Sequence, residues 1–349
     1  MWALDVRRAL AAKTLELSLW REGTAIPIAP ARHLLVATMF ALLALPVSAQ
    51  HVTRIEFVTF ETNVVPQTTA GTQVRLRAEL YVPGNATLPL SAVVITPSSG
   101  GVREEIEIYY ARELTRAGIA ALVIDSFGSR ALSHSVHDQS LLNSWQTGND
   151  AVAGLRWLAA DPRFRRDRIG IMGVSKGGQA AMDTALTLYL RWMGVTDASF
   201  AAHVAVVPYC NWVARSKTTT GSPILFMLAE LDDQCPVAHC LEHAAGLRQA
   251  GNALVETKVY QGAYHAWEFM RNAPYFDRWA ENYAECRVWI EDDGSEVSAK
   301  DGMPIPRDGG HEWAKKTCMT LGTSCCGGND VLKRQAMDDI LAFLKKHGF

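Results

Sequence analysis

Residues 168–178 read RIGIMGVSKGG, and this stretch decides the fold. The run 169–174 is apolar or small and predicts a buried strand, whereas the chain from Lys176 onward predicts a helix. Ser175 therefore stands at a strand-to-helix turn, and the flanking glycines permit a turn too tight for a Cβ atom. Such a turn raises a serine hydroxyl above the edge of a sheet and is typical of a nucleophile. The alternative is a glycine-rich turn in which Ser175 only caps the helix.

On both sides of this turn, short apolar runs alternate with amphipathic stretches. The alternation predicts an α/β fold with a mostly parallel eight-stranded sheet flanked by helices. The first two strands alternate in polarity and are expected to form an antiparallel pair. The predicted strands are residues 54–60, 74–81, 92–96, 120–125, 168–174, 202–208, 224–228 and 255–260. The predicted helices are residues 102–118, 149–160, 176–189, 237–249 and 330–346.

Two polar clusters follow the last two predicted strands. Asp232 and Asp233 come directly after the seventh strand, just before a proline and a predicted helix. His265 lies in a glycine-containing loop after the eighth strand. Because the carboxyl ends of parallel strands meet at one edge of a sheet, and the order serine, acid, histidine suits a nucleophile turn, we expect these side chains to meet Ser175. In the alternative, an aspartate caps the helix and the histidine is a surface residue.

Composition excludes several classes of protein. The chain has 349 residues with 34 Lys+Arg and 36 Asp+Glu, which gives a formal charge of −2. This balance argues against a nucleic-acid partner, which usually requires a basic excess. The hydrophobic fraction of 48% is ordinary for a globular protein and excludes disordered or collagen-like chains. We therefore expect a small, uncharged molecule as the partner.

An apolar run near the N-terminus predicts export. Residues 34–47 read LLVATMFALLALPV and follow Arg32. The run ends in Val-Ser-Ala at 47–49, a small-x-small pattern typical of a signal-peptide cleavage site. A charged flank, a short apolar run and a small-residue exit describe a secretory signal peptide. We expect residues 1–49 to be a leader and signal peptide, and residues 50–349 to be one secreted or periplasmic domain with no stable membrane association. The alternative is an uncleaved anchor or a buried helix.

The seven cysteines also bear on whether the protein is exported. Residues 287–329 are polar, interrupt the strand–helix alternation, and are interpreted as an irregular insertion held by disulfides. Cys286 and Cys318 flank much of this insertion and are a candidate pair, although other connectivities stay open. Cys325 and Cys326 are adjacent and are not expected to bond to each other.

A second pattern of histidines and cysteines surrounds the predicted helix 237–249. His239 and His243 are four residues apart, with Cys235 and Cys240 nearby, and such a set suits a zinc site. The sequence has no H-E-x-x-H signature, and an exported protein more often oxidises such cysteines. We therefore expect no metal ion and no organic cofactor.

Several motifs resemble the dienelactone hydrolase family of α/β-hydrolases. They are LRAELYVP at 76–83, DSFGSR at 125–130, GVSKGG at 173–178, DDQCP at 232–236 and GAYHA at 262–266. The resemblance runs from residue 73 to residue 347 and implies the α/β-hydrolase fold. It also implies an exported member with a serine nucleophile, whereas the family's namesakes use cysteine.

The resemblance implies a role for each site residue. Ser175 corresponds to the nucleophile and His265 to the base. Asp232 corresponds to the acid, because the family's acid stands four residues before the proline, and Asp233 is the fallback. One oxyanion donor corresponds to the backbone N–H of Lys176.

The second oxyanion donor is expected in the loop after the strand 92–96. Pro97 has no N–H group, so we expect Ser99 to supply it. These roles predict a serine hydrolase that cleaves carboxylic esters of small molecules through a Ser-His-Asp triad and an acyl-enzyme intermediate. The alternatives are a peptidase, an acyltransferase or a thioesterase on the same fold, and a non-catalytic binding protein.

Overall fold

The computed structural model describes residues 53–62, 73–84, 86–269, 273–306, 309–325 and 327–349. The chain divides into two units, residues 1–50 and residues 51–349, and the described residues all belong to the second. The predicted signal peptide at residues 1–49 lies outside the described residues. No helix within the described ranges is long and apolar enough to cross a membrane.

The central sheet follows the predicted alternation of strands and helices. The first nine strands are β1 Thr53–Thr62, β2 Val74–Pro83, β3 Leu90–Thr96, β4 Ala120–Asp125, β5 Phe164–Val174, β6 His203–Val206, β7 Trp212–Ala214, β8 Ile224–Ala229 and β9 Val255–Tyr260. All of them except β7 form one sheet in the order β1–β2–β4–β3–β5–β6–β8–β9. The first two pairings are antiparallel and the other five are parallel. The mostly parallel eight-stranded sheet predicted from the sequence is confirmed.

Helices cover this sheet on both sides. The α-helices of the described residues are α1 Tyr109–Arg116, α2 Ser144–Ala160, α3 Lys176–Asp183, α4 Thr187–Trp192, α5 Val237–Gln249, α6 Gly310–Thr317 and α7 Asp330–Lys346. A π-helical turn at Glu104–Ile108 precedes α1, and 3₁₀ turns occupy Gly128–Arg130 and Gln139–Leu141.

The core consists of two apolar layers that share the strands. Successive residues of a strand point to opposite faces. Val93 therefore joins Leu114 of α1 and Ile340 of α7 on one face, whereas Val94 joins Leu155 of α2 on the other. Because both faces are covered, the central strands are continuous apolar runs, and only their ends are free to carry polar chemistry.

Three predicted helices differ from the structure. The helix predicted over residues 102–118 is the π-helical turn Glu104–Ile108 followed by α1. The other two differ for identifiable reasons. The single helix predicted over residues 176–189 is interrupted between α3 and α4. There the Thr220 N–H donates to Ala185 O at 2.9 Å, and the Thr187 N–H donates to Thr218 O at 3.0 Å, so tertiary hydrogen bonds replace helical ones. Helix α2 begins five residues earlier than predicted, because Asn143 and Gln146 form a reciprocal capping box.

The segment expected to be an irregular insertion contains regular structure. The remaining strands are β10 Tyr275–Asn282, β11 Val288–Ile290, β12 Glu296–Ser298, β13 Pro304–Ile305 and β14 Thr320–Cys325. Strands β11 and β12 enclose an Asp-Asp-Gly-Ser turn, which explains why the sequence suggested a loop. Strand β7 pairs in parallel with β11, and the order β13–β12–β11–β7 forms a four-stranded sheet, while β10 pairs with β14.

Two disulfides cross-link the described chain. Cys286 bonds to Cys318, which confirms the candidate pair. Cys210 bonds to Cys240, a pair that the sequence did not single out. Cys235 is a buried free thiol. The bridges close loops with sequence separations of 32 and 30 residues, and each is expected to stabilise the fold by about 3 kcal/mol.

We predict that these bridges are present in the purified protein. Alkylation of the unfolded, unreduced chain should label at most 7 − 4 = 3 cysteines. Peptide mapping should recover Cys210 linked to Cys240 and Cys286 linked to Cys318. The reduced chain should label all seven cysteines and serves as the control. Seven reactive thiols without reductant would contradict both bridges.

Candidate active site

The turn between β5 and α3 holds Ser175 in a conformation that few residues adopt. Its backbone angles are φ 56° and ψ −115°, a positive φ that costs on the order of 1–3 kcal/mol for a residue with a side chain. A Cβ atom on Gly173 would come within 2.4 Å of the Gly177 backbone, and one on Gly177 within 2.4 Å of Thr96 O. Only glycine fits at these two positions, so the sequence motif is explained by backbone packing.

His265 lies on the loop after β9 and faces Ser175. The distance between His265 Nε2 and Ser175 Oγ is 2.9 Å, and both side chains are buried. The serine hydroxyl is therefore within hydrogen-bond reach of an imidazole nitrogen, which is the geometry that a general base requires.

The two neighbouring carboxylates after β8 point in different directions. Asp232 Oδ2 lies 2.8 Å from His265 Nδ1, while Asp232 Oδ1 accepts the backbone N–H groups of Gln234 and Cys235 at 2.9 and 2.8 Å. Asp233 faces away and accepts the Ser324 N–H at 2.8 Å. The structure thus brings Asp232, and not Asp233, to the imidazole.

The carboxylate contact sets the electrostatics of the imidazole. Burial of His265 acts to lower its pKa, but the charge and hydrogen bond of Asp232 act in the opposite direction and prevail, so the pKa of His265 is raised above its ordinary value. A carboxylate beside Nδ1 also fixes the tautomer that leaves Nε2 free to accept a proton from the serine.

The loop after β3 lies beside Ser175 and is held by a buried acid. Glu107 Oε1 accepts the Ser98 N–H at 2.9 Å, and Glu107 Oε2 accepts the Arg103 N–H at 2.9 Å. Burial raises the pKa of the Glu107 carboxyl to about 7. Ser99 follows in the same turn and lines the cleft next to Ser175. Sequence reasoning missed Glu107, because an acid in an EEIEI run resembles a solvated helix face.

Lys176 occupies the first position of α3, where a backbone N–H has no partner within the helix. The backbone N–H groups of Lys176 and Ser99 are the two expected oxyanion donors. Lys176 follows Ser175 in the chain, and Ser99 lines the same cleft as Ser175. The Lys176 side chain is buried, and its Nζ donates to the carbonyl oxygens of Leu142 and Gln139. Burial lowers the pKa of the Lys176 ammonium to about 7.

Two cavities meet at this site. The cleft that contains Ser175 and His265 has a volume of about 530 Å³. A second cavity of about 780 Å³ is lined by a cluster of Trp145, Tyr189 and Trp192. Gln139 borders both cavities, and its Oε1 accepts the Ser99 hydroxyl at 3.0 Å. No sequence pattern pointed to Gln139, whose position depends on an isolated 3₁₀ turn.

Comparison with known proteins places the chain in a family. A sequence profile described as "Dienelactone hydrolase family" matches residues 76–291. A "Probable 2-oxo-3-(5-oxofuran-2-ylidene)propanoate lactonase" from Bradyrhizobium sp is 28% identical over 195 residues, which cover 53% of this chain and 76% of that protein.

Two solved structures share limited similarity with the chain. A putative dienelactone hydrolase from Klebsiella pneumoniae subsp. pneumoniae MGH 78578 is 22% identical, with a TM-score of 0.45, 61% of this chain covered and 88% of that one. A thermophilic esterase from Thermogutta terrifontis is 18% identical, with a TM-score of 0.44 and coverages of 59% and 83%. The assignment rests on the sequence match: because the profile spans more than half of the chain, the protein belongs to the dienelactone hydrolase family of α/β-hydrolases and is a hydrolase that acts on ester or lactone bonds.

Proposed function

We propose that Ser175, His265 and Asp232 form a catalytic triad that cleaves carboxylic esters of small molecules. The observation that carries this proposal is the continuous chain of contacts from Ser175 Oγ to His265 at 2.9 Å and from His265 to Asp232 at 2.8 Å. The same three groups, in this order, convert a weakly nucleophilic hydroxyl into an effective one.

The reaction proceeds in two halves. Ser175 Oγ attacks the ester carbonyl carbon while His265 Nε2 takes its proton, and the imidazolium is stabilised by Asp232. The tetrahedral oxyanion accepts hydrogen bonds from the N–H groups of Lys176 and Ser99, each worth about 3 kcal/mol in such sites. The imidazolium then protonates the leaving alcohol, which leaves an acyl-enzyme. Water, activated by the same imidazole, releases the acid and restores the serine.

We also infer that the protein is exported. The apolar run and small-residue exit before residue 50 support this, and so do the two disulfides, because such bridges persist mainly in oxidising compartments.

A second substrate class is favoured by the Arg103 side chain at the edge of the cleft, although Glu105 and Asp277 also line it. Arg103 Nε and His134 Nδ1 have no hydrogen-bond partner within the described part of the chain, and both residues border the catalytic cleft. His137, by contrast, pairs with Asp277 at 3.3 Å. The name of the similar lactonase from Bradyrhizobium sp specifies a substrate with a carboxylate group, a propanoate. We therefore propose anionic lactones or esters as the alternative to the uncharged esters expected from net charge.

Replacement of the nucleophile is the first test of the triad. Ser175→Ala should lower the turnover of a short-chain p-nitrophenyl ester by a factor on the order of 10⁶, since no other group accepts the acyl chain. Ser199→Ala, which removes an exposed hydroxyl, should retain full activity. A fluorophosphonate should label the wild-type protein at Ser175 and leave Ser175→Ala unlabelled. Unchanged turnover in Ser175→Ala would rule out the triad, and an unlabelled wild type would favour a non-catalytic binding protein.

The adjacent aspartates provide a matched pair. Asp232→Asn should lower kcat by a factor on the order of 10⁴, because the imidazole loses its orienting charge. Asp233→Asn should retain most activity and lower the free energy of unfolding by about 1–3 kcal/mol, because the two carboxylate oxygens accept the Ser324 N–H and the Thr323 hydroxyl, whereas an amide has only one acceptor oxygen.

The pH profile adds an independent readout on the same pair. His265 must be neutral to accept a proton, so kcat/KM should rise with pH through its pKa, with a midpoint above the ordinary histidine value of 6.5. In Asp232→Asn this midpoint should move to lower pH. Equal losses of activity in the two aspartate variants would contradict the assignment of Asp232.

A panel of esters and lactones with and without a carboxylate would decide the substrate class. Arg103→Gln should raise KM for the anionic members by about tenfold or more and leave the neutral members nearly unchanged, because a hydrogen bond to a charged group is lost. Arg166→Gln, at an exposed position outside the cleft, is the matched control. Equal effects of Arg103→Gln on both sets would exclude anion recognition by this side chain.

A further inference from the structure

Three side chains that the proposed mechanism does not use converge beside the catalytic cleft. Asp138, Glu281 and His311 each offer a ligand atom, and these atoms lie within 4.8 Å of one another. His311 Nε2 is 3.4 Å from Glu281 Oε1 and 3.7 Å from Asp138 Oδ1. The three residues come from the turn before Gln139–Leu141, from β10 and from α6, so only the tertiary fold brings them together.

The hydrogen bonds of Tyr283 determine where the protons of this cluster lie. Its single hydroxyl proton faces two acceptors, Glu281 Oε2 at 2.9 Å and His311 Nδ1 at 2.7 Å. An ionised carboxylate can only accept, so the proton belongs to the contact with Glu281. His311 Nδ1 must then carry its own proton and donate it to the Tyr283 oxygen.

This arrangement leaves His311 Nε2 with a lone pair that faces two carboxylate oxygens. Asp138 Oδ1 accepts the N–H and hydroxyl of Ser140, and its side chain is 46% exposed, so the repulsion is weaker there. Glu281 Oε1 faces the imidazole nitrogen from a side chain that is 4% exposed, so water does little to relieve the repulsion between these two acceptors. A cation between the three atoms would turn the repulsion into attraction. The cluster is therefore complete only with a positive charge that these three side chains do not supply.

We propose that Asp138, Glu281 and His311 form a binding site for a divalent cation of the zinc type. One imidazole and two carboxylates match the ligand preference of Zn²⁺, with water as a fourth ligand. Ligand atoms about 2.1 Å from a tetrahedral ion are about 3.4 Å apart, close to the separations of 3.4 and 3.7 Å observed here. The contact of Tyr283 with Nδ1 is the outer-sphere hydrogen bond that orients a ligating histidine.

The position of the site indicates a structural role next to catalysis. Glu281 Oε2 accepts the Gln139 N–H at 2.8 Å, and Gln139 Oε1 accepts the Ser99 hydroxyl at 3.0 Å. A cation would therefore tie β10 and α6 to the turn that supports the expected oxyanion loop. It takes no part in the reaction steps.

A proton on Nε2 is the competing occupant, since an imidazolium would also satisfy both carboxylates. Two nearby ammonium groups do not fill this role. Lys315 Nζ pairs with Glu312 at 3.2 Å, and the Lys176 Nζ, which interacts with Glu281 and Asp138 only through its charge, donates to the carbonyl oxygens of Leu142 and Gln139. His239 and His243 of α5, which the sequence suggested as an alternative zinc site, could also bind an added metal ion. There Cys240 is bonded to Cys210, and His243 Nδ1 lies 3.1 Å from Lys217 Nζ.

The test is direct Zn²⁺ binding to the full chain after treatment with a chelator, measured by competition with a chromophoric indicator. We expect one saturable Zn²⁺ site per chain. At a hundredfold excess of Zn²⁺ over Kd, Tm should rise by about 4 °C. Asp138→Asn should weaken binding by about tenfold or more, because even outer-sphere partners of a metal contribute that much. The amide keeps the acceptor that Ser140 N–H uses at 3.0 Å, so this variant should fold.

Further variants distinguish the competing explanations. His311→Gln should weaken binding as Asp138→Asn does, whereas His239→Ala should bind as the wild type does. Ser175→Ala should also bind normally, so the outcome is independent of the proposed triad. Absence of saturable binding, or unchanged affinity in Asp138→Asn, would overturn the proposal in favour of a protonated His311. Loss of binding in His239→Ala would overturn it in favour of the helix α5 histidines.

Discussion

The strained turn at Ser175 is the constraint on which the rest of the site depends. A non-glycine residue at φ 56° persists only where its surroundings leave no alternative. Here the neighbouring strands impose this conformation. The Ser175 N–H donates to Val206 O of β6 at 2.8 Å, and α3 starts so close to β3 that position 177 admits no Cβ atom. The cost of the turn is offset by the packing of a sheet that is apolar on both faces.

The order of the strands in the sheet brings the other site residues close to this turn. Strand β3 lies beside β5, so the loop that contains Ser99 lies next to the serine. Strands β8 and β9 are neighbours at the far edge, so the loops with Asp232 and His265 emerge side by side and reach back to it. Four loops from separate parts of the chain thus meet at one edge, each aligned by backbone pairing rather than by its own sequence.

Buried polar groups then hold these loops in place. Glu107 binds two backbone N–H groups of the loop after β3, Lys176 binds two carbonyl oxygens of the segment before α2, and Glu281 binds the Gln139 N–H. Burial disfavours the charged form of the first two and shifts the pKa of each toward about 7. These buried groups stabilise the loops, because a buried backbone N–H or carbonyl without a partner would cost more free energy.

The sequence by itself determined the sheet, the serine turn and the three loops that carry polar chemistry. Strand periodicity, the glycines around position 175 and the order of serine, acid and histidine are local patterns, and local steric rules suffice to interpret them. The tertiary structure alone decided which of Asp232 and Asp233 faces the imidazole, because both have the same chemistry and only backbone direction separates them. It also decided the Cys210–Cys240 bridge and the meeting of Asp138, Glu281 and His311, since these contacts join residues far apart in the chain and leave no periodic trace in it.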